Sequence, residues 1–334
     1  MKLNWTKKSF LIVTIAALAM TLAGCSRGTS SAATGSGTAA LSSTLVISTL
    51  NNPFFVSVAA GAQSQAKASG LKLDVQNANN SDQTSLDQTA TALTKSPSVL
   101  IIDPVSSASG GTITTQANNA NIPVVAFDRK PSSGKIASFI GYDAIQAGKN
   151  GAKSLAEAIG DTGKVVEIQG ILGTNVAQDR SKGFNEGIAA FPNIKIVAVQ
   201  SANFDRGTAL NVMTNILQAN PDIAGVYAAN DEMALGVVAA LKARGLAGKV
   251  KVVGNDGIGD ALAAIQAGTM YSTNAESPFV LGKEVVAIAV KVANKKPVSA
   301  DTVLEGRLVT KANIAAFCTY LSGEGDTATC KSLK

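Results

Sequence analysis

Short apolar runs rich in β-branched residues alternate along the chain with stretches whose apolar residues recur at helical spacing. In the first half the runs are Thr44 to Leu50, Leu71 to Gln76, Val99 to Ile102 and Ile122 to Phe127, each of strand length. The second half repeats the pattern with Lys164 to Ile168, Ile194 to Val199, Ile223 to Tyr227 and Lys249 to Val253, and with helices predicted from about Ala177, Arg206, Asp231 and Gly257. Strand and helix in strict alternation predict an α/β fold, with parallel sheets covered by helices on both faces. Several boundaries have a local cause. Asn121-Ile122-Pro123 and Asn220-Pro221-Asp222 end a helix before a strand, because the residue before proline is pushed out of the helical region. Gly245 and Gly268 follow helical runs where a left-handed cap needs a residue without Cβ.

The segment from about residue 44 to 334 is longer than one hydrophobic core usually serves, so two lobes are expected. Ahead of it, Lys2, Lys7 and Lys8 precede an apolar run from Phe10 to Ala23, the layout of a secretory signal and too short for a comfortable membrane span. The run ends Leu22-Ala23-Gly24-Cys25, which resembles the site where bacterial lipoproteins are cleaved and acylated on the new N-terminal cysteine. Residues 1–24 are therefore read as a signal peptide and Cys25 as a lipidated residue; an ordinary signal that happens to contain a cysteine is the alternative. Either way the mature chain is expected outside the cytoplasm. Residues 25–43 are almost wholly Ser, Thr, Gly and Ala, too poor in large apolar groups to order themselves, and read as a flexible tether.

Net charge is +6, half of it from the three lysines of the signal, which leaves no nucleic-acid signature. The chain has no histidine, so the commonest metal ligand and the commonest general base are both missing. One cysteine in the signal region and two near the end give no thiolate cluster; neither a metal nor a cofactor is expected. Cys318 and Cys330 lie close together in the C-terminal tail, where export would favour a disulfide, two free thiols being the alternative in a reducing setting.

Polar residues cluster where strands end. Asn51-Asn52 follow the first run, Asp103 the third, Asp128-Arg129 the fourth, Asn230-Asp231 the seventh and Asn255-Asp256 the eighth. The carboxyl edge of an open parallel sheet is where ligands bind, although any one of these residues could simply cap the next helix. Phe54 and Phe55 follow the first strand and Phe204 the sixth. Flat rings serve the C–H faces of a monosaccharide, while carboxylates, amides and guanidinium forks serve its hydroxyl rim. The same phenylalanines could instead be core residues.

STLNNPFFVS at Ser48–Ser57, PVVAFDRK at Pro123–Lys130, EIQGILGT at Glu167–Thr174, ANFDR at Ala202–Arg206, YAANDEMALG at Tyr227–Gly236 and VVGNDG at Val252–Gly257 resemble the periplasmic ribose-binding proteins of the type I sugar-binding family. The resemblance implies two Rossmann-like lobes joined by a three-segment hinge, residues 44–142 with 277–305 forming one and residues 143–276 with 306–334 the other. It implies first-lobe ligand contacts at Asn52, Phe54, Phe55, Asp128 and Arg129, and second-lobe contacts at Arg180, Phe204, Asn230 and Asp256. Asp103 and Glu276 stand where ribose binders carry Asn and Gln. An ionised carboxylate only accepts, whereas an amide also donates. Ribose therefore gives way to a wider set: ribose, a related pentose or polyol, or a ligand bearing positive charge.

With both positions counted, four carboxyls face the two arginines, a net of −2. Such an imbalance predicts a raised pKa on one carboxyl, Glu276 or Asp103, and affinity that varies between about pH 4 and 7. The function implied is extracytoplasmic capture of a monosaccharide for an ABC importer, with its permease as partner, a lipid anchor in the membrane and the protein itself a monomer. A sensory protein docking on a chemoreceptor or sensor kinase is the alternative. An enzyme is disfavoured by the lack of histidine, of a phosphate loop and of a GxSxG elbow. A repressor effector domain is excluded because a signal and tether occupy the place of a DNA-reading helix pair.

Overall fold

The computed structural model describes residues 41–333. The expected signal, Cys25 and most of the tether lie outside them. The first lobe opens with β1 (Ser42–Ile47), α1 (Pro53–Ser69), β2 (Lys72–Asn77), α2 (Asp82–Thr94), β3 (Val99–Ile102), α3 (Ser107–Asn119), β4 (Val124–Phe127) and β5 (Ser138–Tyr142). The second follows with α4 (Ala144–Ile159), β6 (Gly163–Gln169), α5 (Asn175–Ile188), β7 (Ile194–Ser201), α6 (Arg206–Ala219), β8 (Gly225–Ala228), α7 (Asp231–Ala243), β9 (Lys251–Asp256), α8 (Gly259–Gln266) and β10 (Ser272–Ala275). The chain then returns to the first lobe for α9 (Pro278–Ala293) and β11 (Asp301–Leu304) and ends in the second with β12 (Arg307–Thr310) and α10 (Ile314–Gly323).

Strand order is β11-β5-β4-β3-β1-β2 in one sheet and β12-β10-β9-β8-β6-β7 in the other. Every pair is parallel except β10 with β12. Central strands such as β3 and β4 are buried along their whole length, which explains why they read as unbroken apolar runs. The chain passes between the sheets three times: after β5, after β10, and between β11 and β12. At the first two crossings the Tyr142 hydroxyl accepts the Ser277 N–H at 2.7 Å, which ties the crossings to each other.

Three expectations need correction. The tether does not run to Ser43, because Ser42 and Ser43 pair with Lys72 and Leu73 in β1; pairing satisfies their backbone although the side chains are small and polar. Strands β5, β10, β11 and β12 escaped the apolar pattern. They are only four or five residues long, and β10 reads Ser-Thr-Asn-Ala yet is buried throughout. Its polarity is accommodated by pairs such as Ser154 with Ser272, whose hydroxyl oxygens are 2.6 Å apart. Helix α8 begins at Gly259 rather than Gly257, since Gly257 adopts φ +81°.

The tail has a structural role. Phe317 and Leu321 of α10 join Leu262, Ala275 and Val309 in an apolar cluster of the second lobe, and Cys318 is bonded to Cys330 across a separation of 12 residues. Closing a loop of this size restricts the unfolded chain by about 3 kcal/mol. Replacing Cys318 by serine is accordingly expected to lower the melting temperature by roughly 5 °C or more, measured by calorimetry with and without reductant. Reductant should reproduce the effect in the native chain and add nothing to the variant.

Candidate ligand-binding site

The two carboxyl edges face one another, and the structure places polar and aromatic groups from both on one cleft. Asn52, Phe54, Phe55, Asp128, Arg129, Arg180, Phe204, Asn230 and Asp256 line it, together with Val176, and the lobes are so closely approached that the cavity left between them is only about 20 Å³. Asn52 and Asn230 also cap α1 and α7, accepting the N–H groups of Phe54 at 2.9 Å and Met233 at 3.0 Å. Capping and lining are thus not alternatives: the cap fixes the side chain at the sheet edge. Three of the cleft residues also have a left-handed or otherwise unusual backbone. Asp128, Phe204 and Asp256 have φ of +56°, +58° and +127°, conformations that side-chain-bearing residues hold only where the surroundings impose them.

Each lobe contributes a buried arginine. The Arg129 Nη1 donates to the carbonyls of Pro104 and Val105, both at 3.2 Å. Its guanidinium carbon lies 5.3 Å from the Phe55 ring centre and 5.7 Å from that of Phe204, so rings from opposite lobes flank one cation. Arg180 donates through Nη1 to the Ala229 carbonyl at 2.9 Å and through Nη2 to Glu276 Oε1 at 2.8 Å, with Asp256 3.6 Å away. Among the described residues, the buried Nε groups of both arginines donate to no protein acceptor.

The family model of the periplasmic binding protein domain matches residues 43–297. The chain belongs to that family. Relatives include the ribose import binding protein of Salmonella typhimurium, 40% identical over 267 residues that cover 80% of this chain and 90% of that one. The xylitol-binding protein of Mycolicibacterium smegmatis is 32% identical over 255 residues, 76% of this chain and 73% of the other. Among solved structures, an ABC transporter periplasmic solute-binding protein from Actinobacillus succinogenes with bound D-allose superposes with a TM-score of 0.79 at 34% identity, covering 83% of this chain and 99% of that one.

In this periplasmic binding protein, Asp103 and Glu276 do not line the cleft. Asp103 accepts the Ser48 N–H through Oδ2 at 3.1 Å and sits 3.8 Å from Arg129 Nε; Glu276 holds Arg180. Both stand behind the arginines. Sequence reading missed Val176, which lies in the first turn of α5 where only the fold reveals which side faces the cleft. It also left Asp231 open between capping and ligand contact; its Oδ2 accepts the N–H groups of Gly257 at 2.7 Å and Ile258 at 3.1 Å and so anchors the loop that carries Asp256.

The charge imbalance exceeds the one read from sequence, because Asp231 makes five buried carboxyls against two arginines. Burial pushes Asp103 and Asp231 up to about 7, with Arg129 opposing the shift at Asp103. It also raises Asp128, Glu276 and, most strongly, Asp256, against the pull of the arginines. Below about pH 4, folded and unfolded chains both hold these protons. Between there and about 7 the unfolded chain releases the protons of Asp103 and Asp231 while the folded chain retains them, so stability falls with rising pH. Ligand-free protein is therefore expected to melt about 5 °C or more lower at pH 7.5 than at pH 5. The exposed carboxyls of Glu186 and Asp222, lowered by hydrogen bonds from Lys149 and Lys164, act only below that window. Calorimetry across pH 4.5–8 checks the sign, and a melting temperature that rises through this range would refute it.

Proposed function

We propose that this protein is the extracytoplasmic substrate-binding component of an ABC sugar importer, and that the interlobe space takes a monosaccharide: ribose, a related pentose or a polyol. One observation carries the reading. Charged forks and aromatic faces from two separate lobes converge on a single space, with Arg129 between the rings of Phe55 and Phe204. Asp128 and Asp256 can each accept from neighbouring hydroxyls, Arg129 and Arg180 can each donate to two oxygens, and the rings can cover C–H faces.

A ligand bridging both lobes stabilises their approach, and the approached form is what a permease would read. The lobes already touch at the mouth of the cleft. The Ser107 N–H donates to the Gly173 carbonyl at 3.1 Å, and the Lys130 N–H to Asn175 Oδ1 at 2.8 Å. The protein binds its sugar without transforming it, acts as a monomer, and is held at the membrane by lipid on Cys25.

The test is a thermal-shift screen of the purified protein against D-ribose, other pentoses, hexoses and xylitol. A ligand at 100 times its Kd stabilises the folded state by about 2.7 kcal/mol, so the correct sugar should raise the melting temperature by about 5 °C or more. A response to none of them, with the protein folded, sinks the sugar reading.

A further inference from the structure

Five side chains behind Arg180 form a single-file chain from the protein surface to the cleft. Gln146 Nε2 donates to Asn150 Oδ1 at 2.9 Å, Asn150 Nδ2 to Asn274 Oδ1 at 3.0 Å, and Asn274 Nδ2 to Asn255 Oδ1 at 3.0 Å. Asn255 Nδ2 then donates to Glu276 Oε1 at 2.9 Å and to Asp256 Oδ1 at 3.2 Å. Gln146 is exposed and Asn150 half-buried, whereas Asn274, Asn255 and Glu276 are fully buried.

The polarity of this chain is dictated from its inner end. Glu276 Oε1 already accepts from Arg180 Nη2, whatever the charge of the carboxyl, so the Asn255 nitrogen must face it and the amide oxygen must face away. That oxygen needs a donor, which turns the Asn274 nitrogen inward, and the Asn274 oxygen in turn needs the nitrogen of Asn150. If either outer amide were lost, Asn255 could rotate its oxygen toward two carboxylates. Those are the carboxylates that flank the guanidinium of Arg180, at 2.8 and 3.6 Å. The chain also threads the hinge. Asn150 lies on α4, just past the first crossing; Asn274 lies on β10, just before the second; and a Cβ on Gly306, at the third, would come 2.7 Å from Asn274 Nδ2.

We infer that Asn150 and Asn274 are positioning residues: they keep the Asn255 amide nitrogen turned toward Glu276 and Asp256, and so hold Arg180 in the cleft although neither reaches it. Aligned amides strengthen one another in a low-dielectric interior, which lets a half-buried position on α4 act on the ligand site.

The experiment uses Asn150→Leu and Asn274→Leu, which delete the donors without adding charge. The readout, in ligand-free protein, is the titration of the Glu276 side-chain carboxyl followed by carbon NMR. Besides Arg180, Glu276 faces Asp256, Asp128, Tyr142 and Tyr227, all unchanged in these variants, so a difference from the native chain reports the amides. The midpoint should move up by about half a pH unit or more in Asn150→Leu, and further in Asn274→Leu. Affinity for D-ribose should fall about 2- to 10-fold in Asn150→Leu. An unmoved Glu276 midpoint in Asn150→Leu overturns the inference, whatever happens to the melting temperature; that variant is half-buried and suffices if Asn274→Leu fails to fold. The affinity arm rests on the sugar reading above and the NMR arm does not, so a native chain that ignores D-ribose leaves the inference decided by the Glu276 midpoint.

Discussion

Arg180→Met should weaken binding of the sugar found in the screen by about 1000-fold, close to 4 kcal/mol, with the protein still folded. Methionine fills similar space but removes a fork that reaches the Ala229 carbonyl and Glu276 and lies beside Asp256. Truncating one partner of a buried charge pair is costly because the other is left unpaired. Here Glu276 and Asp256 would respond by holding protons to still higher pH, since the cation that opposes their shifts is gone. The variant's loss of melting temperature should therefore be larger at pH 8 than at pH 5, where both carboxyls are already more protonated. Titration calorimetry for affinity and differential scanning calorimetry at the two pH values separate the effects. Binding within tenfold of the native chain would mean that Arg180 braces the loops around it and makes no ligand contact of its own.

Much of this arrangement was legible in the sequence, for a definite reason. Strands buried on both faces, such as β3 and β4, appear as uninterrupted apolar runs, and a parallel sheet puts whatever follows each strand at the same edge. Asn52, Asp128, Arg129, Asn230 and Asp256 could be grouped on that rule alone, before any resemblance was considered. What stayed hidden depends on distances across the chain. Asp103 and Arg129 are 26 positions apart, and Glu276 and Arg180 are 96 apart; nothing in the sequence says which member of each pair stands in front. The short strands β10 and β12 consist largely of polar or mixed residues, and only the partner across the sheet makes them strands. The positive φ of Phe204 was equally invisible, because phenylalanine does not advertise a left-handed backbone as glycine or, to a lesser degree, aspartate does.

Glycines supply the remaining link between hinge and site, by where they allow helices to touch. In the first lobe, a Cβ on Gly61 of α1 would overlap the Phe279 carbonyl of α9, and one on Gly282 of α9 would overlap the Val58 carbonyl of α1. The second lobe repeats the device: a Cβ on Gly183 of α5 would overlap the Ile145 carbonyl of α4, and one on Gly148 of α4 would overlap the carbonyl of Arg180 itself. In each lobe the helix that follows a crossing is thereby packed backbone to backbone on the helix that carries cleft residues.

Gly148→Ala should consequently lower the melting temperature by about 5 °C or more and weaken sugar binding by about 10- to 100-fold. The added methyl would meet the Arg180 carbonyl, and also the Phe184 nitrogen at 2.6 Å and the Gly183 carbonyl carbon at 2.9 Å. All three are backbone atoms, so no rotamer change relieves the overlap and α5 must move away from α4. Arg180 would travel with α5, while Glu276 and Asp256 remain fixed to the ends of β10 and β9. The matching control is Gly323→Ala at the end of α10, where a Cβ would meet nothing within 4 Å. That change should be neutral or stabilise by up to about 1 kcal/mol through helix propensity. Equal melting temperatures and equal affinities for the two variants would show that α4 and α5 can separate without disturbing Arg180, and the proposed mechanical path from hinge to cleft would fail at its first step.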